Sequence, residues 1–215
     1  MNETPFIRRQ LPYRFYNVTL TLIILNVALF LINMLFPLRS LYYLALIPSR
    51  VIESKAYWQV VTYMFVHGGT FHILFNMLAL FIFGTQLERK LGSTEFLIYY
   101  LVTGVGAGLF TLVFNWYSGL KHIPVVGASG AIYGLLLAYA TLLPDSRLYI
   151  FGILPLKAPV AVLLFAGIAI FSQLTGTRGG VAHLAHLAGL GFGYLYFLIR
   201  LGINPIKVFF RHRGF

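Results

Sequence analysis

The chain has 215 residues, of which 59% are hydrophobic and only 10% charged. That is too apolar for a soluble domain and indicates a membrane protein of one domain. Its net charge of +11 comes from basic residues clustered at the ends of apolar stretches, which argues against a nucleic-acid partner and for the Lys/Arg excess of cytoplasmic membrane-protein loops. With no cysteine, disulfide and thiol chemistry are excluded.

Residues 1–17 form a short N-terminal segment carrying Arg8, Arg9 and Arg14. The apolar run 18–36 follows these charges as a signal peptide would, but it has no small-x-small cleavage site, so it reads as an uncleaved span. Asn26 and Asn33, seven apart on one face, are expected to point into the bundle, because polar atoms in lipid need partners. Pro37 ends this helix. The connection 37–69 scatters Tyr42, Tyr43, Tyr57, Trp58 and Tyr63 among apolar residues, which suits the headgroup layer.

A second helix, 70–88, opens with His72 and Asn76 four apart and therefore on one face. The third, 95–117, carries Gly104, Gly106 and Gly108. The fourth, 128–143, begins at Gly127-Ala128-Ser129-Gly130-Ala131-Ile132-Tyr133-Gly134 and stops at Pro144. Residues 146–158 read as interfacial. A short fifth helix, 159–174, ends before the glycine-rich 176–180. The sixth, 181–199, carries His183, His186, Gly189 and Gly193, and a basic tail occupies 201–215. The expected fold is thus an all-α membrane protein, a six-transmembrane-helix bundle over 18–200.

Six spans leave both termini on one side. On that side fall Arg8, Arg9, Arg14, Arg89, Lys90, Arg147, Lys157, Arg200, Lys207, Arg211 and Arg213, against Arg39, Arg50, Lys55, Lys121 and Arg178 opposite. Both termini are therefore expected to be cytoplasmic. In that orientation the second, fourth and sixth helices all start at the outer face, where His72, Asn76, Ser129, His183 and His186 converge.

Strongly polar residues inside a span are functional by default. Serine becomes a nucleophile beside a base such as neutral histidine, and a tetrahedral oxyanion needs fixed donors. His72, the Asn76 amide and the Ser129 backbone N–H are candidates for that role. Glu3, Glu88, Glu95 and Asp145 fall on the cytoplasmic side, leaving only Glu53 outside, so a Ser–His dyad is expected without an orienting carboxylate. Each residue also has a plainer reading. Gly130 and Gly134 form an ordinary Gly-xxx-Gly packing pair, and His72 and Asn76 serve equally well as polar glue between helices. Tyr133 alone reads as packing, and either His183 or His186 suits the base.

Taken together, the motifs resemble those of the rhomboid intramembrane serine proteases over 57–201. The matching pieces are His67-x4-His72-Ile-Leu-Phe-Asn76, Gly84-x3-Glu88-x3-Gly92, Gly127-Ala-Ser129-Gly-x-x-Tyr133 and Ala185-His186-x-x-Gly189-x3-Gly193. The resemblance implies Ser129 as nucleophile and His186 as general base and acid. It implies His72 and Asn76 as the oxyanion hole and Tyr133 as a support packed on the catalytic imidazole. Gly127, Gly130, Gly189 and Gly193 support the active site, and 37–69 is the lipid-embedded first loop. Trp58-Gln59 departs from the family's frequent Trp-Arg. The implied activity is a cofactor-free serine endopeptidase of a bacterial inner membrane. It would cut transmembrane protein substrates near the outer face, within membrane lipid and with no nucleic acid.

Two other classes compete. A histidine metal site would draw on His67, His72, His183 and His186, but no His-Glu-x-x-His motif accompanies them. An inactive relative that binds membrane clients would lack the serine or histidine present here.

Overall fold

The computed structural model describes residues 6–9, 11–150, 153–175 and 180–211. The architecture is helical, built around α8 (Ser129–Leu142), which packs against α7 (Ser93–Tyr117), α9 (Ala158–Leu174) and α10 (Gly180–Tyr196). Every residue of α8 from Gly130 to Thr141 is buried except Tyr133. A helix apolar on all sides belongs at the centre of a bundle, and α8 sits there.

Around this centre, α1 (Val18–Leu35) leads into the connecting segment. That segment folds into three short helices: α2 (Pro37–Leu44), α3 (Pro48–Ile52) and α4 (Gln59–Thr62). Proline begins both α2 and α3, where its fixed φ and missing N–H cost nothing. Next, α5 (Thr70–Ala79) continues through a π turn, Leu80–Gly84, into α6 (Thr85–Leu91). After α10 a second π turn, Phe197–Leu201, precedes α11 (Pro205–Arg211).

Among the described residues, four helical stretches are long and apolar enough to cross a membrane: Val18–Leu35, Thr70–Leu91, Ser93–Tyr117 and His183–Leu201. Two shorter apolar helices, Ser129–Leu142 and Ala158–Leu174, complete the bundle. The fold is that of an all-α membrane protein.

One segment, read from the sequence only as interfacial, takes a form that the sequence reading did not specify. Residues 146–158 form an antiparallel hairpin, β1 (Arg147–Ile150) with β2 (Leu154–Lys157), pairing Arg147 with Lys157 and Ile150 with Leu154. Pro144 and Pro155 bar a helix through this stretch, and backbone pairing satisfies its amides. The glycine-rich stretch 176–179 and the tail beyond residue 211 lie outside the described residues.

Buried carboxylates fasten one end of the bundle. The Glu88 carboxylate accepts from the first amides of α1, Val18 N–H at 2.6 Å and Thr19 N–H at 2.9 Å, and from the Ser93 hydroxyl. An anion at a helix N-terminus satisfies orphan donors and complements the dipole. At the same end, Glu95 accepts from the Tyr196 hydroxyl and pairs with Arg200 at 2.8 Å. Arg200 also donates to the carbonyls of Ile7 and Arg9, and Arg8 reaches back to those of Leu198 and Ile199.

Of the two asparagines on α1, both are buried. The Asn26 amide donates to Leu22 O at 2.8 Å, whereas neither side-chain polar atom of Asn33 has a protein partner.

Candidate active site

Ser129 is the first residue of α8, so its position depends on what holds the chain just before it. Val125 pairs with Leu46 through two backbone bonds of 3.0 and 2.9 Å, and Gly127 N–H donates to Tyr63 O at 2.9 Å. The Tyr63 hydroxyl in turn donates to Gly104 O in α7 at 2.6 Å. The connecting segment therefore pins the approach to α8. Gly127 has φ +112°, a conformation L side chains avoid. A Cβ there would also lie 2.7 Å from His72 Nε2 and 3.7 Å from Asn76 Nδ2. His72 and Asn76 thus converge on the backbone two residues before Ser129.

From the other side, α10 brings His186 to Ser129, with Nε2 to Oγ at 2.8 Å. The approach is possible because α10 and α8 touch backbone to backbone. A Cβ on Gly189 would lie 2.8 Å from the Gly130 carbonyl carbon and nearer still to its oxygen. One turn on, a Cβ on Gly193 would meet Tyr99 Oη first and lie 3.4 Å from Gly134 Cα. Gly134 itself is crowded by Thr103 of α7, so the second glycine pair serves the α7 contact as well.

The His186 ring stacks on Tyr133 with centroids 4.2 Å apart and planes 8° from parallel. Tyr133 lies one turn after Ser129, so α8 supplies both the hydroxyl and the plate that orients its partner. His183 meets His186 edge-on at 5.9 Å. His186 Nδ1 is buried without a protein partner. Glu88 and Glu95 are engaged elsewhere, and Glu53 and Asp145 are exposed.

His72 accepts a 3.3 Å bond at Nδ1 from Gly68 N–H. In the neutral ring the proton then sits on Nε2, the nitrogen nearest Gly127. Asn76 Nδ2 is buried and unpartnered, leaving both of its N–H groups available as donors. Behind them His67, T-shaped to His72 at 5.1 Å, is held down to about 4 by burial and then by the neighbouring His72 charge. Among the described residues, no three histidine or acidic side chains are grouped to hold one metal ion.

The Rhomboid domain pattern matches residues 54–203. RHOMBOID-like protein 1 of Arabidopsis thaliana is 32% identical over 171 residues, covering 79% of this chain and 41% of that protein. Rhomboid protease AarA of Providencia stuartii is 30% identical over 205 residues, covering 83% of this chain and 70% of AarA. Rhomboid protein 1, mitochondrial, of Saccharomyces cerevisiae is 31% identical over 156 residues, covering 70% of this chain. The chain belongs to the rhomboid family. It spans less than half the length of the Arabidopsis and yeast relatives, 41% and 43%.

Within this rhomboid, three residues gain a role that sequence reasoning did not assign. Gln59, at the Trp-Arg departure, is fully buried. Its amide donates to Tyr42 O at 2.9 Å and accepts from Ile47 N–H at 3.1 Å, so a neutral side chain ties the connecting segment together. Trp58 Nε1 donates to Tyr43 O at 2.8 Å from the neighbouring position. Glu88 was legible only as a motif residue, and the structure shows it capping α1.

Proposed function

We propose that this rhomboid is an intramembrane serine endopeptidase using a Ser129–His186 dyad. The observation that carries the reading is the 2.8 Å approach of His186 Nε2 to Ser129 Oγ, on a ring stacked against Tyr133. As Oγ attacks the scissile carbonyl carbon, its proton passes to Nε2. The carbonyl oxygen becomes an oxyanion received by His72 Nε2–H, the Asn76 amide and the Ser129 N–H. The C–N bond then breaks as Nε2 returns the proton to the leaving amine, leaving an acyl ester on Ser129. Water attacks that ester as His186 takes its proton; the acyl C–Oγ bond then breaks, His186 returns the proton to Oγ, and the carboxylic acid product leaves.

The substrates in this reading are transmembrane segments of other proteins. A cavity of about 590 Å³, lined by Phe75, Phe83, Tyr133, Tyr149 and Phe165, lies between α5, α8, α9 and the hairpin and supplies an apolar surface for such a segment. We assign six spans over 18–200, with segment 1–17 and the tail 201–215 cytoplasmic, and the site near the outer face of a bacterial inner membrane. The basic residues support this sidedness. At 14 residues, α8 rises only roughly 21 Å, short of the ~30 Å hydrocarbon layer, which suits a serine recessed below the surface.

Fluorophosphonate labelling, together with cleavage of a model transmembrane substrate, tests the reading. The wild type should be labelled at Ser129 whether or not a chelator is present, and Ser129→Ala and His186→Ala should each abolish cleavage in a folded protein. Labelling that persists in Ser129→Ala would refute the nucleophile. Turnover retained in His186→Ala but lost in His183→Ala would reassign the base.

A further inference from the structure

The end of the bundle far from the dyad carries another cavity, of about 320 Å³. It is lined by Leu142, the last residue of α8, whereas Ser129 is the first, so the two sites lie a helix length apart, roughly 20 Å. Among the described residues, its lining holds four cations, Arg8, Arg9, Lys90 and Arg200, against one carboxylate, Glu95. Both Glu95 oxygens are already engaged, one by the Tyr196 hydroxyl and the other by Arg200 at 2.8 Å. Three positive charges in excess therefore share one concave space.

Hydrogen bonds hold these like charges together. Arg200 donates to the carbonyls of Ile7 and Arg9, and Arg8 donates to those of Leu198 and Ile199. Two segments remote in sequence are thus braced across each other at this point. Arg8, Arg9 and Lys90 are exposed, so their charges are accessible. The Lys90 ammonium has no hydrogen bond or ion pair among the described residues. Cations held side by side repel one another unless an anion lies between them, and guanidinium with ammonium is a donor set that recognises phosphate.

Depth and lining decide which phosphate. Leu91 and Leu201 end two of the membrane-crossing stretches, and both line the cavity. It therefore sits where those helices leave the hydrocarbon layer, at the level of lipid headgroups. Leu142, Leu201 and Ile203 give it an apolar part that suits a glycerol backbone and the first methylenes of acyl chains. A choline or ethanolamine headgroup would bring an ammonium beside an excess of positive charge, so a lipid of net negative charge is selected.

We propose that this cavity binds the phosphodiester of an anionic phospholipid, at the face that the basic residues mark as cytoplasmic. It shares no residue with the dyad or the oxyanion donors, so its test is independent of the proposed chemistry. The full chain in dodecyl maltoside is titrated with dioleoylphosphatidylglycerol or dioleoylphosphatidylcholine at physiological ionic strength, and bound lipid is read by native mass spectrometry. The expected result is saturable binding of phosphatidylglycerol, about 10-fold tighter than that of phosphatidylcholine. It should persist in excess glycerol 3-phosphate, which carries the phosphate without the acyl chains.

Lys90→Gln should weaken binding about 5-fold, the worth of one basic residue at a membrane surface, and Lys90→Glu about 25-fold. Lys90 is exposed and unpartnered, so both variants should fold. Lys207→Gln is the control: it removes an exposed cation that lies outside the lining, and affinity should stay within about twofold. Equal affinity for the two lipids, displacement by glycerol 3-phosphate, or Lys90 variants that lose no more than Lys207→Gln would each overturn the proposal.

Discussion

Gly189→Val tests whether backbone contact between α8 and α10 sets the distance on which the chemistry depends. A Cβ at 189 would lie 2.8 Å from Gly130 C and 3.2 Å from Gly130 Cα, against roughly 3.5–4.0 Å for carbon atoms in contact. The obstacle is backbone, so it cannot rotate away, and α10 must move by roughly 1 Å before the valine methyls are counted. Gly130 adjoins Ser129, and Gly189 is nearly one turn from His186, so most of that displacement falls on the dyad. A 2.8 Å contact stretched to nearly ~4 Å is no longer a hydrogen bond. Turnover of a model transmembrane substrate should fall on the order of 100-fold, and overpacking should lower stability by about 1–3 kcal/mol. Gly191→Val is the control: it lies in the same helix, but a Cβ there meets nothing within 4 Å, and activity should stay near wild type. Unchanged turnover and melting for Gly189→Val would refute the contact as the determinant of Ser129–His186 geometry.

Asn76→Ala should lower turnover partially, by about 100- to 1,000-fold for one lost oxyanion donor, with folding intact. Full activity would confine Asn76 to a structural role. Tyr133→Phe keeps the ring under His186 and should stay near wild type, whereas Tyr133→Ala should lose about 2- to 10-fold in kcat, the worth of an aromatic pair; equal activity of the two variants would remove the stack from catalysis. Gln59→Leu strands the Ile47 N–H and the Tyr42 carbonyl and should destabilise the protein by about 1–3 kcal/mol or more. Thermal unfolding in detergent checks this, and an unchanged melting temperature would show that the connecting segment does not depend on Gln59.

Much of the fold follows from local pattern. Apolar runs bounded by proline and by basic residues mark the helices, because a spanning segment must satisfy its own backbone and exclude charge. The four-residue spacing of His72 and Asn76 and the three-residue spacing of Gly189 from His186 place those pairs on shared faces by helix geometry alone. The hairpin at 147–157 was not legible, because strand pairing joins residues whose partnership no local period announces.

What the sequence alone determined is therefore the set of helices, the polar residues near their ends and the membrane setting, each a property of a short stretch. The tertiary structure decided everything that needs two distant segments in one place. It set His186, rather than His183, at 2.8 Å from Ser129. It turned Gln59 into a link between α4 and the end of α2, and Glu88 into the cap of α1. Spacing along a helix fixes which side a residue faces, but which neighbour it meets depends on how closely backbones pack, and at Gly130 and Gly189 that closeness exists because neither residue carries a side chain.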